Sequence, residues 1–530
     1  MPTPYHNVST RATPQTEPLP GRILDQAPNA AGGWSFKVDD WTLLNRFLVL
    51  GTEGGTYYTS EQKLTKDAAA ALLRCIAKDG DRVVQTIVDI SVNGRAPKQH
   101  PTMFALAACA GAEDLTVRQA ALDALPLVCR TGTHLFLFAS YVEQFRGWGR
   151  SLRTAIGDWY MNRDLDDLCL QVAKYQSREG WSHRDLLRLS KPRPTVGSSK
   201  AKALGWAVNK VPGVEGTFLG AVDKLHDNGT TVDEAVQLIE QYRLPWEVVP
   251  SEMLADPKVW HAMLPNLGMG ALVRNLGRLT ANGTIKPMSG AEAMVAERLV
   301  AERMVKGSRI HPLNVLTAAV TYAHGRGFKG SLTWQPSGKV LASLDKTFGM
   351  AFANVEPANK RTLVALDVSG SMDGSQIAGT FLSAREASSA MALVTLATEP
   401  QTAVMAFSGG FIPLALHQGM SLAQTVEMTR RLPFDRTDCA LPMLWAIKNG
   451  VSVDTFVIYT DSETYAGRSH PVQALQEYRK LSGIPAKLVV VGMCSNQFSI
   501  ADPSDAGMLD VVGFDNAAPA LIADFSAGRV

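Results

Sequence analysis

From about residue 35 to 350, apolar positions recur with helical spacing and are interrupted only by short Gly, Pro or Asn breaks. Val117, Ala121, Ala124 and Leu125 fall on one face of a helix within Asp114–Cys129. Thr231-Val232-Asp233-Glu234 has the form of a capping box, in which a hydroxyl and a carboxylate each satisfy an orphan N–H. It precedes Ala235, Val236, Leu238 and Ile239, so a helix starts there. About a dozen such segments, without convincing strands between them, predict an α-solenoid, although no strict repeat period is visible. After Arg361 the texture changes. Leu363-Val364-Ala365-Leu366 is a continuous apolar run, the mark of a strand covered on both faces. A helix over about 377–398, a strand at Val404–Phe407 and helices near 421–432 and 438–449 follow. Then come a strand at Thr455–Tyr459, a helix near 471–481, a strand at Leu488–Val491, a last strand near 510–513 and a final helix. Strands alternating with helices predict an α/β doubly wound parallel sheet.

The chain thus divides into three parts. Residues 1–30, with six prolines and no periodicity, read as a flexible arm. Residues 31–357 form the helical part, and residues 358–530 the α/β part, with Glu356–Lys360 as the linker. The length of 530 residues also favours more than one core. A hydrophobic fraction of 46% and a charged fraction of 19% fit a soluble globular chain. No apolar run approaches the roughly 18 residues a membrane helix needs. No secretory signal is visible and the six cysteines form no C-x-x-C pair, so reduced thiols and a cytoplasmic location are expected. The Asn7-Val8-Ser9 sequon then carries no weight.

The most specific motif is Asp367-Val368-Ser369-Gly370-Ser371, directly after the first buried strand. Ligands of doubly wound sheets gather beyond the carboxyl ends of the strands. One carboxylate and two hydroxyls there suit a hard, oxygen-seeking divalent cation, Mg²⁺ above all. Thr437 precedes a helix and Asp461 ends the next core strand. D-x-S-x-S, a loop Thr and a strand-end Asp resemble the metal-ion-dependent adhesion site (MIDAS) of von Willebrand factor A domains, with Asp367, Ser369, Ser371, Thr437 and Asp461 as ligands. Asp435 and Asp438 flank Thr437 and could compete with it. The competing reading of D-x-S-x-S is a turn whose side chains cap a helix. No general base or nucleophile pair accompanies the motif, so binding is expected and catalysis is not. No G-x-x-x-x-G-K-[ST] follows Gly54-Gly55, which argues against nucleotide hydrolysis. Asp461 and Glu463 lack the further carboxylates of a nuclease centre.

Residues 143–210 hold thirteen Lys/Arg against seven Asp/Glu, a local balance of +6 in a chain of net charge +2. Such a stretch is an electrostatic footprint for phosphate. Arg150 and Arg153 share a helix face, as do Lys174 and Arg178, while Arg184, Arg188 and Lys191 form a further row. Phe145, Trp148, Trp159, Tyr160, Tyr175 and Trp181 are interleaved, either as core or as stacking platforms for unpaired bases. A solvated helix face is the competing reading of the charges.

Several segments resemble the Ro autoantigen (TROVE) family, its bacterial members most closely. They are Gly32-Gly33-Trp34 and Arg46-Phe47-Leu48 leading into Gly51–Tyr58; Lys174-Tyr175, Arg178 and Gly180-Trp181-Ser182-His183-Arg184-Asp185-Leu186-Leu187-Arg188-Leu189-Ser190; Leu272-Val273-Arg274-Asn275-Leu276-Gly277; and Ser308-Arg309-Ile310-His311-Pro312. The Asp114–Leu125 spacing likewise resembles a HEAT-type helix. The resemblance spans both parts and implies a closed HEAT-like helical ring whose ends are joined by the A domain. It further implies small noncoding Y RNA on an outer basic surface and single-stranded 3′ ends of misfolded or precursor RNAs in a central hole. A 3′→5′ exoribonuclease partner and a monomeric state are implied as well. Lys174 and Arg178 match family RNA-contacting residues, and Lys191 stands where animal members have His. His183 belongs to the motif, as a contact or as a structural histidine. Arg150, Arg153, Arg184 and Arg188 complete the expected RNA face. The expectation is an RNA-binding protein in RNA quality control that is not an enzyme and engages neither membrane nor DNA. The alternative is a metal-dependent protein-interaction scaffold working through the A domain.

Overall fold

A computed structural model describes residues 12–52, 60–209, 211, 215–327, 331–351, 356–377, 382–417, 419–433 and 435–529. Residues 1–11, the Gly54–Tyr58 part of the family-like motif and Lys210 lie outside them.

The chain enters through two short strands, β1 (Gln26–Pro28) and β2 (Trp34–Lys37), which pair antiparallel. Helices then run from Asp40–Leu50 to Gly338–Met350, and most begin where the sequence offers a cap. Thr231 and Glu234 form the predicted capping box. The longest helix, Glu61–Val92, breaks at Asp79 (φ −162°, ψ 80°), whose carboxylate accepts from Arg82 N and so starts the second half. The next residue is Gly80, and a Cβ there would lie 2.4 Å from Val117 Cγ2, so the break lets another helix approach. A two-residue hairpin, β3 (Ser177–Arg178) with β4 (Trp181–Ser182), interrupts the helices.

The solenoid closes on itself. His311 Nε2 lies 3.1 Å from the Arg95 carbonyl oxygen, 216 positions away in sequence. A Cβ on Gly94 would sit 3.2 Å from Arg309 Cβ.

The C-terminal part holds β5 (Thr362–Asp367), β6 (Thr402–Phe407), β7 (Phe411–Pro413), β8 (Thr455–Thr460), β9 (Lys487–Gly492), β10 (Phe498–Ser499) and β11 (Met508–Val512). Six of these form one sheet in the order β11-β9-β8-β5-β6-β7, parallel except for the edge strand β7. Successive residues of a strand face opposite sides. Leu363, Ala365, Phe456, Ile458, Leu488 and Val490 pack into one core. Val364, Leu366, Val457, Tyr459, Val489 and Val491 pack into the other, which is continuous with the core of the helical part. Both faces are covered, which is why the strands read as unbroken apolar runs.

Three expectations need correction. The arm predicted over residues 1–30 is not free from residue 12 onward. Gln15, Gln26 and Asn29 are buried, and β2 pairs with β10 of the C-terminal part. The segment is held by backbone and polar side-chain bonds, which leave no periodic apolar pattern to read. The helix expected over 377–398 is shorter, Ala384–Thr398, because Ser383 and Glu386 build a capping box at its start. Strands β1, β2, β3, β4, β7 and β10 also went unpredicted, being two to four residues long.

Candidate metal centre and nucleic-acid interface

β5 and β8 are neighbours, with Leu366 opposite Tyr459, so their carboxyl ends deliver Asp367 and Asp461 side by side. Asp367 Oδ1 accepts from Ser369 N at 2.9 Å, and Asp367 Oδ2 accepts from Thr460 Oγ1 at 2.7 Å. The Ser369 and Ser371 hydroxyls are 3.1 Å apart. Thr437 is buried in a loop whose carbonyl takes hydrogen bonds from Tyr465 N and Ala466 N, just beyond Asp461. Asp461 Oδ1 accepts from Glu463 N at 3.0 Å, and Asn496 donates its amide to the Asp461 carbonyl. Asp461 Oδ2 is buried and, among the described residues, accepts no hydrogen bond.

Burial holds the Asp461 carboxyl well above the usual carboxylate range, and the charges of Asp367 and Glu463 push it further. Burial raises Asp367 too, against the Ser369 and Thr460 hydrogen bonds. The donor set is oxygen-only, with two repelling carboxylates and one unsatisfied carboxylate oxygen, and the buried Arg385 guanidinium offsets the charge of Asp367 without reversing its upward shift. Such a set fits a hard divalent cation. Of the two possible rivals to Thr437, Asp438 is engaged by Gln15 Nε2 and Ala440 N, and Asp435 is exposed. Thr460 and Asn496 were missed in sequence. Thr460 could have been noticed inside Tyr459-Thr460-Asp461-Ser462, but Asn496 carries no local signal.

The basic stretch is only partly free. Arg150 and Arg153 are exposed on the helix Arg150–Met161. Lys174 and Arg178 do not share the expected helix face, because the helix Leu165–Lys174 ends at Lys174; Arg178 projects from β3, 51% exposed, where Glu179 (φ 50°) and Gly180 (φ 79°) make the tight turn that follows it. Arg184 and Arg188 are exposed on the helix His183–Ser190, which Ser182 and Asp185 cap, and Lys191 is exposed at its end. Lys174 is half-buried and paired with Glu247 at 3.2 Å. Other cations serve the fold. Arg163 lies over the Trp159 ring and binds the Arg130 carbonyl. Lys200 caps the carbonyls of Met161 and Arg163.

His183 is the site residue that the structure removes from the RNA face. It is 3% exposed, with Nδ1 2.9 Å from Tyr160 Oη and Nε2 3.1 Å from the Gln171 carbonyl oxygen. Burial lowers its pKa to about 4, so it is a neutral core histidine. Trp159 and Tyr160 are core as well. Trp148 and Trp181 are half-buried and pack together at 5.2 Å.

Two family models match the chain: a TROVE domain over residues 27–230 and 241–321, and a Ro60 vWA domain over 361–526. The chain is 41% identical over 524 residues to the RNA-binding protein RO60 of Deinococcus radiodurans, covering 98% of each. It is 34% identical over 585 residues to the RNA-binding protein RO60 of Caenorhabditis elegans, covering 95% of this chain and 90% of the relative. The crystal structure of the Deinococcus radiodurans RO (RSR) protein matches with a TM-score of 0.70 and 40% identity, over 93% of this chain and all of that one.

Proposed function

This chain belongs to the Ro60 family of TROVE and vWA proteins, and from that premise we propose that it binds RNA through its basic face. The observation that carries the reading is the exposure of the guanidinium and ammonium groups of Arg150, Arg153, Arg178, Arg184, Arg188 and Lys191, on two helices that pack together and the hairpin beside them. Among the described residues, Arg178 is the one member of this set that pairs with a carboxylate, that of its neighbour Glu179. Phosphates gain from such groups at any base sequence, which suits a structured RNA held by its backbone. The RNA in this proposal is a small noncoding Y RNA on the outer face. Single-stranded 3′ ends of misfolded or precursor RNAs enter the central hole, and an exoribonuclease acts on what is presented. The protein itself has no catalytic role, works as a monomer and resides in the cytoplasm. Free cysteines, five of them buried, support a reducing compartment.

A divalent cation, Mg²⁺ by the hardness of the donors, is held by Asp367, Ser369, Ser371, Thr437 and Asp461 in this proposal. Such an ion supplies an electrophilic point to which an oxygen of a partner can bind. The buried, unsatisfied Asp461 Oδ2 supports the cation, and a second reading follows from it, a metal-dependent contact with a protein partner through the ion's open position.

Filter binding across a salt series tests the RNA reading. Arg178→Glu with Arg188→Glu weakens binding and flattens the slope of log K against log salt by about 0.9 for each phosphate that is no longer neutralised. Unchanged affinity and slope would remove the basic face from the proposal.

A further inference from the structure

Gln15 is fully buried and uses every hydrogen-bonding position of its side chain. Nε2 donates to Asp438 Oδ1 at 2.8 Å and to the Ser469 carbonyl at 2.8 Å. Oε1 accepts from Thr464 Oγ1 at 2.5 Å and from Gly467 N at 3.2 Å. One amide therefore ties the loop that holds Thr437 to the loop that follows Asp461. The rest of the segment continues along the second loop. Asn29 Nδ2 donates to the Thr464 carbonyl at 2.8 Å, and Ala31 N to Glu463 Oε2 at 3.1 Å. Gly33 is pressed so close that a Cβ would lie 1.9 Å from the Thr464 oxygen.

The Asp461 loop needs such support. Ser462 stands at φ 62°, a conformation a non-glycine residue keeps only when its surroundings hold it. Ser35 Oγ donates to the Ser462 carbonyl at 3.0 Å, and Thr460 Oγ1 accepts from Ser462 N at 3.0 Å. The turn that directly follows Asp461 is thus braced by a side chain from the opposite end of the chain.

We propose that the segment Thr13–Phe36 is an integral part of the metal centre and that Gln15 is a positioning residue that sets its affinity. This rests on the metal reading above. Partners that orient ligands typically change metal affinity by about 10–100-fold when removed. The amide acts by keeping Thr437 and Asp461 in register and contributes no ligand itself.

The test is titration of the full chain with Mn²⁺ alone, followed by calorimetry and by the loss of free Mn²⁺ spin resonance signal. Melting of each metal-free protein is measured alongside. Gln15→Met keeps the side-chain length, and Ser35→Ala removes two bonds, to the Ser462 carbonyl and from Asn29 Nδ2, against the four of Gln15, and is the milder variant if Gln15→Met folds poorly. Arg22→Ala is the control. It breaks the ion pair with Asp502 that anchors the same segment away from the Asp461 loop. Gln15→Met is expected to weaken Mn²⁺ binding about tenfold and Ser35→Ala by a few-fold, with Arg22→Ala within twofold of the unmodified chain even as its melting point falls. Unchanged affinity in Gln15→Met and Ser35→Ala, or an equal loss in Arg22→Ala, overturns the role of Gln15 while the metal site stands. If Asp461→Ala binds Mn²⁺ as tightly as the unmodified chain, the metal reading falls and takes this inference with it.

Discussion

Arg95 and Asp515 meet where the helical ring closes. The guanidinium Nε lies 2.9 Å from Asp515 Oδ2 and 3.1 Å from Oδ1, and Nη2 bonds the same carboxylate. Arg95 also offers its carbonyl to His311 from the last repeats, so one residue contacts the first helices, the last helices and the vWA domain. Asp515 is 6% exposed, and truncating Arg95 leaves a buried carboxylate unpaired. Arg95→Ala is expected to destabilise the protein by about 2–4 kcal/mol. Solution scattering should show a larger radius of gyration as the seam loosens. A variant with unchanged melting and unchanged scattering would mean that the seam is held elsewhere.

Three histidines held neutral by their surroundings set an acid limit. Burial lowers His134, His183 and His311 to about 4. In the unfolded chain each returns to about 6.5. Their folded values are depressed, so the unfolded state binds more protons between these two pH values. The stability they contribute is complete above pH ~6.5 and declines as pH falls toward ~4. Near pH 5.5 unfolding should take up between about two and three protons from these groups. Denaturation midpoints measured from pH 7.5 to 5 check this, with His183→Gln reducing the slope by roughly a third. The buried Asp461 and Glu463 carboxyls are shifted upward and release protons on unfolding, so the comparison is with the variant: a slope that His183→Gln leaves unchanged would show that this histidine is solvated.

Arg46 is the deepest link between the two domains. It is 0% exposed, donates to the carbonyls of Asn496 and Phe498, and forms a two-point pair with Asp510. Arg46→Met should cost about 3–5 kcal/mol, since Asp510 loses its partner in a largely buried setting. Arg46→Lys should recover little of it, because an ammonium cannot match the fork that binds one carboxylate and two carbonyls together. Recovery to within about 1 kcal/mol, read from denaturant unfolding, would mean that charge alone holds the joint.

What the sequence disclosed follows from where the determinants lie. β5, β8 and β9 were legible because burial on both faces forces continuous apolar runs. Asp367, Ser369 and Ser371 were legible because three oxygen donors fall within five residues of a strand end. Gln15 gave no sign, since its four partners lie more than four hundred residues away and its neighbours are prolines and polar residues. His183 stayed open in the sequence, as a contact or as a structural histidine, because the family-like motif places it directly beside Arg184. Helical geometry nevertheless turns it inward beside Leu186 and Leu187, while Arg184 and Arg188 face out.

Lys174 shows the same limit in a form that can be measured. Its position in the sequence marks it as a phosphate contact, yet Glu247, from a distant turn, already pairs with it at 3.2 Å. An RNA that binds Lys174 must displace or share that carboxylate, so the net gain is smaller than for the more exposed Arg178. Lys174→Ala should therefore weaken RNA binding less than Arg178→Ala does. Glu247→Gln should tighten binding at low salt by a few-fold, since it removes a negative charge beside the phosphate path without changing shape, and the gain should fade as salt screens the site. The two partners are both only about one-fifth exposed, so breaking the pair is expected to lower the melting point somewhat, and binding is compared at a temperature where both proteins are folded. If Glu247→Gln leaves RNA affinity unchanged at low salt while Arg178→Ala weakens it, the RNA path runs over the hairpin tip and bypasses Lys174.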